Sequence, residues 1–74
     1  MGGLRAYVDA LRALAAAYDE FSKDAEFAAY EDAKIWIERL KTLAAFVECD
    51  AQEDFIAQNI EFGRMYLQYL IDGD

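Results

Sequence analysis

The chain has no proline and no histidine, a single cysteine, and four glycines, three of which (Gly2, Gly3 and Gly73) sit near the ends. Each shortage excludes something. Without histidine the commonest general base and metal ligand is missing. Cys49 therefore has no partner for a papain-like nucleophile, and no Glu-x-x-His pair exists for a di-metal bundle. One cysteine cannot close an intrachain disulfide; Cys49 reads as a small core thiol, with intermolecular pairing the alternative. The loop spacing of an EF-hand is absent, and so is a glycine-rich phosphate loop, since Gly2-Gly3 is only a flexible end. Paired carboxylates for glycoside chemistry need a deep cleft, which 74 residues seldom form. The expectation is a protein that is not an enzyme and that uses no cofactor or metal.

Basic residues are scarce too, seven against fifteen acidic ones, for a net charge of −8. Binding to a phosphate backbone needs Lys and Arg, so direct nucleic-acid binding is not expected. Such a field keeps a small protein soluble, and it would steer a basic protein surface towards it. No apolar run approaches the roughly 18 residues of a membrane span. The opening MGGLRAYVDA lacks the apolar core of a signal peptide, and Ala6 stands where a myristoylation pattern needs Ser or Thr. A cytoplasmic protein with no membrane partner is expected.

What is present is helical. Alanine, leucine, glutamate and lysine fill the interior, and no segment alternates polar with apolar as a strand does. Leu4, Tyr7, Leu11, Leu14, Tyr18 and Phe21 recur at three and four, which predicts a helix over 4–22. Continuing that seam would place Asp32 and Arg39 in the core. The next good seam is instead Tyr30, Ala33, Ile37, Leu40, Ala44 and Val47, so the chain breaks or bends within FSKDAEF. Ser22 or Asp24 is the candidate cap there. A second helix is expected over 25–48, or alternatively one bent helix up to Val47. Asp50-Ala51-Gln52-Glu53 matches a capping box, which opens a third helix over 51–71 ending at a glycine cap on Gly73. The fold class is therefore all-α, a single domain over 1–74, built as a three-helix bundle or a bent helical hairpin.

Two of the helices carry more apolar surface than one core stripe needs. At roughly 100° per residue, Ala33, Ile37, Leu40, Ala44 and Val47 share a face, with Trp36 and Leu43 at its margins. Ile35 and Phe46 fall well outside it. In the third helix, Ile56, Ile60, Gly63, Leu67 and Leu70 form the core face, while Ala51, Phe55, Phe62, Tyr66 and Tyr69 form a second, largely aromatic strip. A chain this short buries only about 60% of its unfolded surface, so association is the natural supplement to its core. The expected interface, with a second copy or with a partner, comprises Ile35, Trp36, Phe46, Phe55, Phe62, Tyr66 and Tyr69. Gly63 beside the strip would let another helix approach closely.

Acid is clustered as well. Asp19, Glu20, Asp24, Glu26, Glu31 and Asp32 stand against Lys23 alone. Glu48, Asp50, Glu53, Asp54 and Glu61 have no base among them and form a candidate docking patch for a basic protein surface. In size, charge and composition the chain resembles small acidic helical proteins of phages and mobile elements that inhibit host regulators or defence enzymes. That resemblance rests on no diagnostic residue and transfers no functional position. The reading is a small acidic protein-interaction module, a homodimeric regulator or inhibitor of a larger partner. The alternatives are a DNA mimic acting on a nucleic-acid-binding protein and a structural assembly subunit.

Overall fold

The computed structural model describes residues 3–47 and 53–73, apart from the Leu4 side chain. Three helices form: α1 (Gly3–Ser22), α2 (Phe27–Ala45) and α3 (Glu53–Asp72). They pack as an elongated bundle of 39 × 20 × 15 Å, whose long axis exceeds the ~30 Å of a 20-residue helix. The core is made by Leu11, Leu14, Ala15 and Tyr18 of α1, Ala33, Ile37 and Leu40 of α2, and Ile56, Ile60 and Leu67 of α3. Tyr18, Leu11, Leu40 and Ile56 are the largest fully buried side chains, and each large aliphatic stabilises the fold by about 1.5–3 kcal/mol.

The break between α1 and α2 is real, so the bent-hairpin alternative does not describe this chain. The last turn of α1 tightens into bonds that reach back three residues, from the Lys23 N–H to the Glu20 carbonyl (3.3 Å) and from the Asp24 N–H to the Phe21 carbonyl (3.2 Å). Neither expected cap opens α2. Ser22 is buried and its hydroxyl donates back to the Asp19 carbonyl at 2.8 Å, closing α1 instead. Glu26 is the N-cap of α2, in extended backbone (φ −69°, ψ 166°) and without a side-chain cap bond. A serine can satisfy either the end of one helix or the start of the next, and here its hydroxyl serves the end of α1.

Helix ends shift from expectation in other places. α2 stops at Ala45, with the Phe46 N–H bonding to the Thr42 and Leu43 carbonyls, and not at residue 48. Tyr30, expected on the inner seam, is 37% exposed and lies under the Lys34 ammonium, 5.1 Å from its ring. α3 is helical from Glu53. The capping pattern that begins at Asp50 lies outside the described residues, as do Cys49 and Glu48. The glycine stop is as expected: Gly73 has φ +75° and its N–H reaches the Tyr69 carbonyl at 2.9 Å.

α1 lies close to both other helices, whereas the α2 and α3 backbones hardly approach one another. Large and long side chains span that gap, and Gly63 marks where α3 leans on the other two helices. A Cβ at residue 63 would sit 2.8 Å from Leu14 Cδ2 and 3.3 Å from Trp36 Cζ3. The close approach expected at this glycine is therefore made by the chain's own Leu14 and Trp36.

Candidate docking face between α2 and α3

The α2–α3 gap has a floor of paired aromatic and polar side chains. Trp36 stacks on buried Tyr18 (centroids 5.9 Å, planes 8° apart), and its other neighbour, Tyr66, stands 6.2 Å away and tilted by 38°. Tyr66 in turn stacks on Tyr69 at 5.9 Å. The Tyr18 hydroxyl donates to the Gly63 carbonyl. The Tyr66 hydroxyl donates to Asp32 Oδ2 at 2.7 Å. Arg39 Nε donates to Oδ1 of buried Asn59 at 2.9 Å, and the guanidinium lies 5.3 Å from the Trp36 ring. Asn59 Nδ2 completes its bonding to the Phe55 carbonyl at 2.9 Å. These pairs set an antiparallel register, with Asp32 level with Tyr66, Trp36 with Gly63, and Arg39 with Asn59.

Two of the seven expected interface residues, Trp36 and Tyr66, thus form the floor and are half-buried within the monomer. The other five stand out of it: Ile35 is 64% exposed, Phe46 62%, Phe55 54%, Phe62 53% and Tyr69 56%. Helical neighbours fix which way they face. Ile35 has Asp32 and Arg39 on one side, three and four residues away, and both of those bond to α3. Its other flank carries Glu31 and Glu38, also four and three residues away. Phe62 has Asn59 and Tyr66 on its α2 side, and Gln58 and exposed Met65 on its outer side, with Asp54 and Glu61 beyond them. Phe55, Phe62 and Tyr69 are seven residues apart, so they repeat on one line along α3.

The result is a trough. Its floor is Trp36, Tyr66, Arg39 and Asn59. One wall carries Ile35 and Phe46, and the other carries Phe55, Phe62, Met65 and Tyr69. The outer edge on α2 is acidic, with Glu31 and Glu38 beside Ile35, whereas Glu61 of α3 lines a separate cleft against α1 with Ala6, Tyr7 and Ala10. At the end where α2 begins, a cleft of about 380 Å³ opens between Glu26, Asp32, Tyr66, Tyr69 and Leu70. Every exposed large hydrophobic among the described side chains lies on α2, on its C-cap or on α3, and none lies on α1. Phe27, Tyr30 and Ile71 are the exposed ones outside the trough, all near helix ends.

The acidic patch expected from sequence is only partly at the surface of this trough. Glu53 accepts a hydrogen bond from the Tyr7 hydroxyl at 3.3 Å, which ties the start of α3 to α1. Asp54 and Glu61 are exposed, whereas Glu48 and Asp50 lie outside the described residues. The sole ion pair among the described residues is Lys23–Glu20 (2.6 Å), joined within one turn at the end of α1. Glu31, Glu38 and Met65 were not among the expected site residues. Their signal was available on the helical wheel: Glu31 and Glu38 are seven apart beside Ile35, and Met65 follows Phe62 by three.

The phenols respond to this environment. The hydrogen bond to Asp32, followed by burial, raises the Tyr66 phenol above its ordinary value. Burial first, and then the neighbouring Tyr66, raises Tyr18 much further. Burial and the Glu53 carboxylate also raise Tyr7. Each of these phenols ties one helix to another. Among the described residues no group of three His, Cys, Asp or Glu side chains is placed to hold a metal ion, and no helix is long and apolar enough to cross a membrane. No protein-family model, curated protein or solved structure matches this chain.

Proposed function

We propose that the protein is a small acidic interaction module that regulates or inhibits a larger protein by presenting the α2–α3 trough to it. The observation that carries this reading is the one-sided distribution of exposed large hydrophobics among the described side chains, all on α2, its C-cap and α3 and none on α1. Six of them line the trough. At about 100 Å² of exposed surface each, roughly half of what an aromatic side chain can bury, they make a patch of about 600 Å². That is at the top of the range for the largest patch on an ordinary monomer and close to the ~800 Å² that each partner contributes to a standard interface. Stacking of Trp36 and Tyr66 and the bonds of Tyr66, Arg39 and Asn59 fix the floor, so the trough is largely preorganised and little ordering opposes binding.

Homodimerisation through the same face is the second reading, favoured by the small core of a 74-residue chain. Reading the carboxylates as phosphate mimics finds less support, because the acids are divided between the outer edge of α2 and the α1–α3 cleft and do not form a continuous rail. Site-specific photo-crosslinking tests the proposal in the cell that makes the protein. A benzophenone side chain at position 62 should capture a discrete protein, whereas the same group at Ala13 on α1 should not. Equal capture at both positions, or none at position 62, would contradict a dedicated α2–α3 docking face.

A further inference from the structure

We infer that a second copy of this chain covers the trough in the free protein, face to face, with α2 of each copy antiparallel against α3 of the other. This rests on the docking-face reading above and names what closes that face when the larger partner is absent. The first support is register. Ala28, Ile35 and Thr42 are exposed and recur every seven residues on the outer line of α2, as Phe55, Phe62 and Tyr69 do on α3. The bonds from Tyr66 to Asp32 and from Arg39 to Asn59, with Trp36 against Gly63, fix the level of one helix on the other. On that scale Ala28 is level with Tyr69, Ile35 with Phe62 and Thr42 with Phe55, each to within about 2 Å given the rise of an α-helix. A twofold axis running along the trough keeps those levels and sets the outer line of each α2 over the outer line of the other copy's α3. Small or branched side chains then meet large rings at all three levels. The four helices alternate in direction, as in an up-and-down four-helix bundle.

The second support is the placement of charge. Glu31 and Glu38, on the outer edge of α2, come within one helical turn of the levels of Met65 and Gln58 of the second copy, and neither of those is acidic. Asp54 and Glu61 stay out of the contact, because Glu61 lines the cleft against α1 and Asp54 lies on the Tyr7 side of α3. Arg64 lines that cleft too. Arg39, held by its own Asn59, therefore meets no base from the α3 laid over it. The other face-to-face arrangement, α2 on α2 and α3 on α3, brings Glu31 of one copy towards Glu38 of the other, a like-charge contact along the α2 edge that suppresses it.

The third support is the end cleft of about 380 Å³, which Ala28 and Tyr69 both line. Ala28 leaves it open at the level where Tyr69 of the second copy arrives. That ring enters the cleft, and the carboxylates of Glu26 and Asp32 there can accept from its hydroxyl. The area agrees with a reversible contact. Two patches of about 600 Å² bury about 1,200 Å² together, the low end of a standard interface. A pairing of that size leaves the face open to competition by a larger partner.

Sedimentation equilibrium through and above the micromolar range measures the self-association. It should show a concentration-dependent dimer with a Kd on the order of micromolar. Added salt should tighten the dimer, because each copy carries a net charge of −8. Phe62→Asp should weaken it at least about thirtyfold, as loss of a central anchor does. Ile35→Asp, on the facing line, should act alike and stands in if Phe62→Asp does not fold by circular dichroism. A monomer at every concentration, or a dimer that both variants leave intact, would overturn the inference. A short bis-maleimide crosslinker reads the arrangement. In a Cys49→Ser background, a mixture of the Glu38→Cys and Gln58→Cys single variants should crosslink into a mixed dimer. More crosslinking within either variant alone would show like helices in contact and overturn the arrangement. The photo-crosslink from position 62 separates this inference from the docking-face reading. A monomer that still captures a larger protein from that position overturns only the second copy. Loss of that capture as well removes the docking face itself. Capture of a second copy alone would support this inference and contradict the larger partner.

Discussion

Replacing Gly63 by alanine tests the geometry that holds α3 against the rest of the bundle. Two effects oppose each other. Alanine is better than glycine inside a helix by about 1 kcal/mol. The new methyl, however, would lie 2.8 Å from Leu14 Cδ2 and 3.3 Å from Trp36 Cζ3. Ordinary apolar contact is about 3.5–4.0 Å, so Leu14 must retreat by at least about 0.7 Å. Leu14 is buried, and overpacking of a filled core costs about 1–3 kcal/mol. The packing term wins, giving a net loss of about 1 kcal/mol, or about 4–8 °C in Tm for a chain of this size. The decisive version is a double-mutant cycle. Leu14→Ala alone should cost about 3 kcal/mol by leaving a cavity. In the Gly63→Ala background it also relieves the clash, and the added methyl partly fills the hole. The pair should therefore be less destabilised than the sum of the singles by about 1 kcal/mol or more. Urea denaturation followed by far-ultraviolet circular dichroism gives all four stabilities. The reasoning is refuted if Gly63→Ala stabilises the protein as it would at an open helix position, or if the two changes add to within about 0.5 kcal/mol.

Three further outcomes follow from the same contacts. Arg39→Ala leaves Oδ1 of buried Asn59 without its donor, which should cost about 1–2 kcal/mol in denaturation; Arg39→Lys keeps the charge but not the Nε donor and should recover less than half of that. Alkaline stability should fall, because Tyr18 and Tyr66 both have raised pKa values in the folded state. The folded protein holds these protons more tightly than the unfolded chain, so their contribution is complete below the ordinary phenol pKa of about 10 and is lost as pH climbs through the raised values. Tyr66→Phe removes one linked phenol and its hydrogen bond, so stability should fall less steeply with pH above about 10 in urea denaturation followed by circular dichroism, and an unchanged slope would contradict the Tyr66–Asp32 assignment. Gly73→Ala places a Cβ in left-handed backbone (φ +75°) with nothing within 4 Å, so the strain should stay local: faster amide exchange in the last turn of α3, with global stability changed by less than about 0.5 kcal/mol.

Much of the fold is legible in the spacing of apolar residues, because burial along one helix obeys the period of that helix. Leu11, Leu14 and Tyr18 in α1, Ala33, Ile37 and Leu40 in α2, and Ile56, Ile60 and Leu67 in α3 are buried where the wheel puts them. The break after Ser22 is legible too, since one continuous seam would drag Asp32 and Arg39 inward. What the wheel does not carry is the register between helices. Trp36 and Tyr66 lie outside their core stripes and so read as surplus, but the α2–α3 gap is wide enough to need them as filling. Asn59 looks like a surface polar residue, yet it is buried because Arg39 on another helix reaches its amide. Tyr30 fits the α2 seam by period but sits within the first turn, 37% exposed and beneath the Lys34 ammonium. The acids read as clusters near helix ends. Which groove each acid borders depends on how the helices are turned in the bundle, so that Glu31 and Glu38 flank Ile35 while Glu61 lines the cleft against α1.

The central claim is that the α2–α3 trough is a dedicated docking surface. Photo-crosslinking from position 62 in the cell that makes the protein tests it most directly. The predicted result is one discrete crosslinked protein from position 62 and none from the exposed Ala13 of α1. Equal capture from both positions, or none from position 62, would contradict it.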